Sequence, residues 1–191
     1  LVEVLSGQKF DEFLQQRIFA PLGMVDTGFW VPPEKTDRFI TQYAPTDLLD
    51  PMKPGLVKAD DPVNGQYNKQ RRLLSGGGGL VSTVADYVKF LQMIVGGGAY
   101  GSVRLLKPAT LEAMRKNQLA PGVQVAFPMW SMPGTVFGLG FALKQTPQST
   151  EPPSAQDEYH WGGMAGTHSW MAPNAGITGF CLTQRMPGFW P

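Results

Sequence analysis

Tyr159-His160-Trp161-Gly162-Gly163-Met164, then His168-Ser169-Trp170-Met171-Ala172, then the run from Ile177 to Gln184 decide the fold class. Each run is short and rich in aromatic or β-branched residues, and Gly or Pro separates one from the next, as in antiparallel strands. Pro173-Asn174-Ala175-Gly176 stands between the last two as a tight turn that closes them into a hairpin. Gly138 to Lys144 reads as a further strand of the same kind. The C-terminal part is therefore expected to build an antiparallel sheet.

Upstream of these strands the hydrophobic period changes to that of helices. Leu1-Val2-Glu3-Val4-Leu5 is an amphipathic helical turn, broken at Ser6-Gly7. From Phe10 to Phe19 the apolar residues Phe10, Phe13, Leu14 and Ile18 share one helical face. Asp11 and Glu12 near its start and Arg17 near its end suit the helix dipole, and Pro21 and Gly23 stop it. Val31 to Lys69 is rich in Pro, Asp and Lys without a sustained period, and reads as a long irregular excursion with short strand character at Phe39 to Tyr43. Ser75 to Thr83 then leads into a helix whose Thr83 and Asp86 have capping-box spacing. Val84, Val88, Leu91 and Val95 are its expected buried stripe, and Gly96-Gly97-Gly98 its end. A third helix is expected over Pro108 to Asn117, with Leu111 and Met114 inward and Glu112 paired to Lys116. Helices first and strands last predict an α+β arrangement, helices packed on an antiparallel sheet.

Composition bounds the chemistry. The chain has 191 residues, 42% of them hydrophobic, enough for a real core. Only 16% are charged, below the soluble average of about 25%. A net charge of +1 gives no electrostatic reason to expect nucleic acid or an anionic membrane as partner, and the pair Arg71-Arg72 reads as solvated loop. No apolar run approaches the roughly 20 residues of a membrane span. Cys181 is the sole cysteine, which leaves no internal disulfide; between Phe180 and Leu182 it reads as a small buried hydrophobe. A chain that opens inside a helix and stops on Phe189-Trp190-Pro191 reads as cut at both ends, so compartment stays open.

Four segments could carry chemistry. Ser6-Gly7-Gln8-Lys9 is formally a Ser-x-x-Lys, but Gly7 breaks the helix directly after the Ser, so the segment reads as a helix-to-helix turn rather than a nucleophile. Gly76 to Gly79 has no Gly-Lys-Ser/Thr behind it, which argues against a phosphate loop and for close backbone packing beneath the next helix. His160 and His168 lie eight residues apart with no carboxylate or Cys cluster in ligand spacing, so no metal is expected. Trp161-Gly162-Gly163-Met164 is the fourth. Consecutive glycines weaken a strand and call for a bulge or for close approach of a ligand to the backbone. Backbone N–H groups exposed in this way can face an acyl oxygen and form part of an oxyanion hole.

Taken in order, these segments resemble one family. The set is Leu1 to Gln8, Ile18-Phe19-Ala20-Pro21-Leu22-Gly23-Met24, Ser75 to Asp86, the Gly96-Gly97-Gly98 break before Leu105-Leu106, Trp161-Gly162-Gly163, and Gly166-Thr167-His168-Ser169-Trp170. It is similar to the class C β-lactamase-related serine hydrolases of the family VIII carboxylesterase type. Val31 to Lys69 and Gln118 to Thr135 match least. The resemblance implies a β-lactamase/transpeptidase-like fold, with residues 1–191 as the C-terminal part of the hydrolase domain. It also implies a Ser acylated by substrate, activated by a Lys in Ser-x-x-Lys and a Tyr in Tyr-x-Asn, then freed by water, with no cofactor.

Both of those motifs precede the region matching Leu1 in such enzymes, and neither occurs here in its place. The third motif, Lys-Thr-Gly or His-Thr-Gly in lactamases and peptidases, is a Trp-x-Gly in the esterases, which Trp161-Gly162-Gly163 matches. The resemblance implies that the Met164 N–H is one oxyanion donor, with Trp161, Gly162, Gly163 and His160 against substrate. A frame shifted by one residue puts His160 at the Lys position instead. A Lys there offers a cation to a substrate carboxylate, whereas Trp161 offers an apolar face and at most one neutral donor. Uncharged esters with small acyl groups are therefore expected over anionic antibiotics. The alternatives on the same fold are a β-lactamase, a D-Ala-D-Ala peptidase or an acyltransferase, or a non-catalytic binding protein. The expected partners are a small-molecule ester and an N-terminal segment of the same enzyme, without which the chain is expected to be inactive.

Overall fold

A computed structural model of the chain describes residues 1–50, 52–123, 125–127 and 130–188, with Phe127 and Trp130 described by backbone alone. Phe189 and Trp190, read above as aromatics at a cut end, lie outside the described residues.

α1 (Val2–Ser6) closes on Gly7 in the left-handed region, whose N–H reaches back to the Glu3 carbonyl. α2 (Phe10–Leu14) starts three residues later, so Ser6 to Lys9 is the helix-to-helix turn expected; the Ser6 hydroxyl accepts the Gln8 N–H at 3.2 Å. The expected helix over Phe10 to Phe19 is α-helical only to Leu14. It widens into a π-helical turn at Gln15–Phe19, followed by α3 (Ala20–Leu22) and Gly23. Phe19, Leu22 and Met24 enter the core, with Leu14 and Ile18 packed against it.

The Val31 to Lys69 excursion is irregular, with a 3-10 helix at Pro33–Arg38. The strand character expected at Phe39 to Tyr43 falls later, in β1 (Gln42–Pro45), which pairs antiparallel with β2 (Leu56–Asp60), a partner that no period in the sequence announced.

α4 (Val84–Val95) is capped by Thr83, whose hydroxyl accepts the Asp86 N–H at 3.3 Å. The Asp86 carboxylate does not return the bond as a capping box would; it turns to the backbone N–H of Asp26 and the hydroxyl of Thr27. The expected buried stripe is corrected in part: Leu91 is buried as expected. Val84 and Val95 are about half exposed, whereas Tyr87, Phe90, Leu91 and Ile94 pack into or against the core. Both sets have helical spacing, and the one carrying the aromatic rings faces the sheet. Of the four glycines before this helix, Gly76 lies against Phe10 and Gly79 against Phe29, while Gly77 and Gly78 have open space around them. The close packing thus falls on α2 and the Phe29 loop, not beneath α4.

β3 (Ala99–Tyr100) and β4 (Val103–Arg104) form a short hairpin before α5 (Pro108–Met114). α5 ends before its turn reaches Lys116, so Glu112 pairs with Arg115 instead. β5 (Ala126–Phe127) and β6 (Trp130–Ser131) pair with each other.

The main sheet has five antiparallel strands, β7 (Thr135–Phe137), β8 (Ala142–Lys144), β9 (Tyr159–Gly163), β10 (Thr167–Ala172) and β11 (Ile177–Leu182), in the order β11-β10-β9-β8-β7. The expected strand from Gly138 to Lys144 is half turn: Gly138 to Phe141 joins β7 to β8. An added Cβ on Gly138 would sit 1.9 Å from the Met114 carbonyl oxygen, so only glycine fits there. The Pro173 to Gly176 turn joins β10 to β11 as expected, with Gly176 left-handed and its N–H on the Pro173 carbonyl.

Register sorts the sheet into two faces. Leu143, Tyr159 and Met171 lie side by side across β8, β9 and β10 and meet Leu91, Met93, Ile94 and Leu111 from the helices. The residues between them, His160, His168 and Cys181, occupy the other face. Cys181 is exposed, which corrects its reading as a buried hydrophobe. Strand alternation turns Phe180 to the core and its neighbour away from it.

Candidate active site

β9 carries the segment singled out in the sequence, and the sheet register places each of its residues. Trp161 lies opposite Ser169, Gly162 opposite His168, and Gly163 opposite Thr167. A Cβ on Gly163 would come within 2.8 Å of the Thr167 hydroxyl, a close approach that accounts for this glycine. Trp161 is 37% exposed, and the Phe137 ring meets its indole edge-to-face at 5.0 Å and 85°. The Ser169 hydroxyl, on the same face as Trp161, lies 3.4 Å from that of Tyr87.

Met164 is outside the strand, in the turn between β9 and β10, and is 65% exposed. The turn is held from three directions. Gly166 donates to the Gly163 carbonyl at 3.0 Å, Gly188 donates to the Met164 carbonyl at 2.7 Å, and the backbone and hydroxyl of Thr183 both donate to the Gly166 carbonyl. Gly166 is left-handed, and a Cβ there would meet the Thr183 hydroxyl at 1.9 Å. The chain leaving β11 therefore wraps the turn from Thr183 to Gly188. Tyr43 joins this wrap through two backbone bonds, accepting from Met186 and donating to Gln184, which ties the β1–β2 hairpin beside it. Arg185 runs along the wrap and donates to the Pro187 carbonyl at 3.3 Å.

His160 does not share the Trp161 side. It is buried on the opposite face, ring centroid 5.1 Å from that of His168, which in turn stacks on Trp170. Burial, then the neighbouring His168 and Lys144 charges, lower its pKa to about 4, so it is neutral near pH 7. Burial lowers His168 as well. Lys144 is taken up by ion pairs with Glu151 and Glu158. The structure thus brings Trp161, Gly162, Gly163 and Met164 to one strand end and puts the His160 ring behind it. Among the described residues no group of three or more His, Cys, Asp or Glu side chains could hold a metal ion.

Sequence reasoning missed Phe137, Thr183, Gly188 and Tyr43. Thr183 and Gly188 act through contacts whose partners are seventeen or more residues away, and no local pattern marks them. It also missed a cavity of about 420 Å³ between the π-helical turn and the loop after α3, lined by Gln15, Phe19, Thr27, Phe29, Lys35 and Arg38 among others. That cavity shares no residue with the Trp161 segment. Of its charged lining residues, Asp26, Lys35 and Arg38 are closed on one another, Asp26 meeting Lys35 at 2.7 Å and Arg38 at 2.8 Å.

An antiparallel sheet backed by helices, with a Trp-Gly-Gly strand end, defines a β-lactamase/transpeptidase-like chain. The chain belongs to the beta-lactamase family, whose profile matches residues 1–190. It is 28% identical over 194 residues to Protein Rv1367c of Mycobacterium tuberculosis, a match that covers 98% of this chain and 46% of that protein. It is 35% identical over 122 residues to lovastatin esterase of Penicillium rubens, covering 63% of this chain and 28% of the esterase. Among solved structures it is similar in fold to the simvastatin synthase LovD of Aspergillus terreus, with a TM-score of 0.76 at 23% identity, over 98% of this chain and 47% of LovD. The chain spans about half the length of Rv1367c or less of the other curated relative. Its family contains hydrolases, among them esterases.

Proposed function

We propose that the protein is a serine carboxylesterase that works through an acyl-enzyme on uncharged esters with small acyl groups. The observation that carries the proposal is the strand end Trp161-Gly162-Gly163-Met164, with a half-open indole and a turn fixed by Thr183 and Gly188. The relationship to a family that contains esterases supports it.

In this reading the nucleophilic Ser, with its Lys and Tyr, comes from an N-terminal segment of the same enzyme seated against this chain. The Ser hydroxyl passes its proton to the Lys and Tyr pair as its oxygen bonds to the ester carbonyl carbon, the carbonyl oxygen takes up the electron pair, and the Met164 N–H donates to that oxygen. Collapse breaks the bond to the leaving oxygen, which takes that proton and departs as the alcohol, and the acyl group stays on the Ser. Water then gives a proton to the same pair and attacks the same carbon, and the Ser oxygen takes the proton back as the acid is released. A fixed backbone donor is effective here because it needs no reorganisation as charge develops. Trp161 supplies an apolar wall and no cation, which disfavours anionic lactams.

The test is turnover of p-nitrophenyl butyrate and of nitrocefin by the whole enzyme. Ester turnover well above lactam turnover is expected. Strong lactam turnover without ester turnover would identify a β-lactamase on the same fold.

A further inference from the structure

Phe137 stands behind the indole of Trp161 in a way that no motif marks. Its ring meets the indole edge-to-face at 5.0 Å and 85°, in the range where aromatic pairs attract beyond their buried area. The backbone that carries it has little freedom. The Phe137 carbonyl accepts the Gln118 N–H at 2.8 Å, Gly138 donates to the Phe141 carbonyl at 2.8 Å, and Leu139 donates to the Met114 carbonyl at the end of α5 at 3.0 Å. Gly138 itself lies so close to Met114 that a Cβ would overlap its carbonyl oxygen. The ring is therefore mounted on a turn pinned to α5, and the indole that rests on it cannot retreat in that direction.

From this geometry we infer that Phe137 is a positioning residue that sets the acyl-length limit of the site. The inference rests on the esterase reading proposed above. Held by Phe137, the Trp161 indole is a fixed wall beside the Gly162-Gly163-Met164 edge, where the acyl group of a bound ester lies. Short acyl chains fit in front of the wall, and longer ones meet it. Removal of the Phe137 ring lets the indole swing into the vacated volume and lengthens the acyl site.

The experiment is a p-nitrophenyl ester series from acetate to octanoate with the whole enzyme, its Phe137→Ala, Phe137→Tyr and Trp161→Ala variants, and the Phe137→Ala/Trp161→Ala double variant. One methylene in an apolar pocket discriminates by roughly 10–200-fold, so Phe137→Ala is expected to raise the octanoate-to-butyrate ratio of kcat/KM by about tenfold or more. Phe137→Tyr, which keeps the ring, should hold the wild-type ratio. The double variant should shift no further than Trp161→Ala alone, because Phe137 acts through the indole. An unchanged ratio in Phe137→Ala, or a double variant in which the two shifts multiply, overturns the inference. Should Phe137→Ala fail to fold, Phe137→Val, a strand-forming residue that vacates most of the ring volume, is expected to raise the ratio in the same direction. Ester turnover with a flat chain-length response to these variants sinks this inference alone. Absence of any ester turnover in the wild type sinks the esterase reading and this one together.

Discussion

The buried carboxylate of Asp86, on the first turn of α4, accepts the backbone N–H of Asp26 at 2.6 Å. The Thr27 hydroxyl donates to the same oxygen at 3.0 Å, and Lys89 closes on the other at 3.2 Å. Asp26 in turn holds Lys35 and Arg38 with its side chain, and those hydrogen bonds keep its carboxyl well below the usual carboxylate range. Asp86 thus locks α4 to the loop after α3, and through Asp26 to the 3-10 helix. Asp86→Ala leaves buried donors without an acceptor and Lys89 without its buried partner. Its expected cost is about 3 kcal/mol of unfolding free energy, read from the urea midpoint. A loss within about 0.5 kcal/mol, the usual effect of a surface change, would contradict the role given to this carboxylate.

His160 sets an acid limit on stability. Its pKa is lowered from the ordinary 6.5 to about 4 in the folded state, chiefly by burial. Above pH 6.5 the ring is neutral whether the chain is folded or not, and the full stability is present. As pH falls from 6.5 towards 4 the unfolded chain takes up a proton that the folded one resists, so stability drops by up to about 3 kcal/mol. His168, lowered in the same direction, adds to the slope. Urea midpoints measured between pH 7.5 and 4.5 should decline across this window, and His160→Gln should flatten the decline. A wild-type profile flat down to pH 5 would show that the ring titrates normally.

Cys181 offers a direct check on which face of β11 is open. It is exposed in the folded chain, opposite His168 on the side away from the helices. A thiol reagent such as Ellman's should modify it to completion in native residues 1–191, at a rate close to that of the urea-unfolded chain. Protection by orders of magnitude would mean that Phe180 and Cys181 exchange faces, a one-residue slip of the strand.

Those elements differ in how far local sequence could reveal them. The hairpin of β10 and β11 was legible because Pro173-Asn174-Ala175-Gly176 supplies its own turn chemistry, and the Ser6-Gly7 break because Gly7 supplies its own left-handed cap. The α4 stripe was ambiguous because Val84, Val88, Leu91 and Val95 and the set Tyr87, Phe90, Leu91 and Ile94 both have helical spacing and share Leu91, and only the sheet chooses between them. β7 is three residues long and follows Met132-Pro133-Gly134, too short to show a period. At the site, consecutive glycines in a strand drew attention to Gly162 and Gly163 without help from any contact. Phe137, Thr183 and Gly188 reach the same strand end from elsewhere in the chain, and Asp86 found a partner sixty residues away rather than its own helix start. Non-local pairing of this kind leaves no mark on the spacing of residues.

Met164 gives the most direct test of the proposed oxyanion role, because the backbone and the side chain can be changed separately. The side chain is largely exposed and the N–H is the proposed donor, so Met164→Ala in the whole enzyme keeps the donor. Met164→Pro removes it, while leaving the Met164 carbonyl that Gly188 holds at 2.7 Å. Loss of one oxyanion donor costs about 10²–10³ in kcat, so Met164→Pro should fall by that amount and Met164→Ala by far less. Because the donor acts on the developing oxyanion rather than on the bound ester, KM should change much less than kcat. Proline also strains the turn, so the thermal midpoint of both variants is measured alongside. A Met164→Pro enzyme that folds as the wild type does and keeps its kcat would place the oxyanion donor elsewhere. Equal losses in Met164→Ala and Met164→Pro would assign the role to the side chain instead of the backbone.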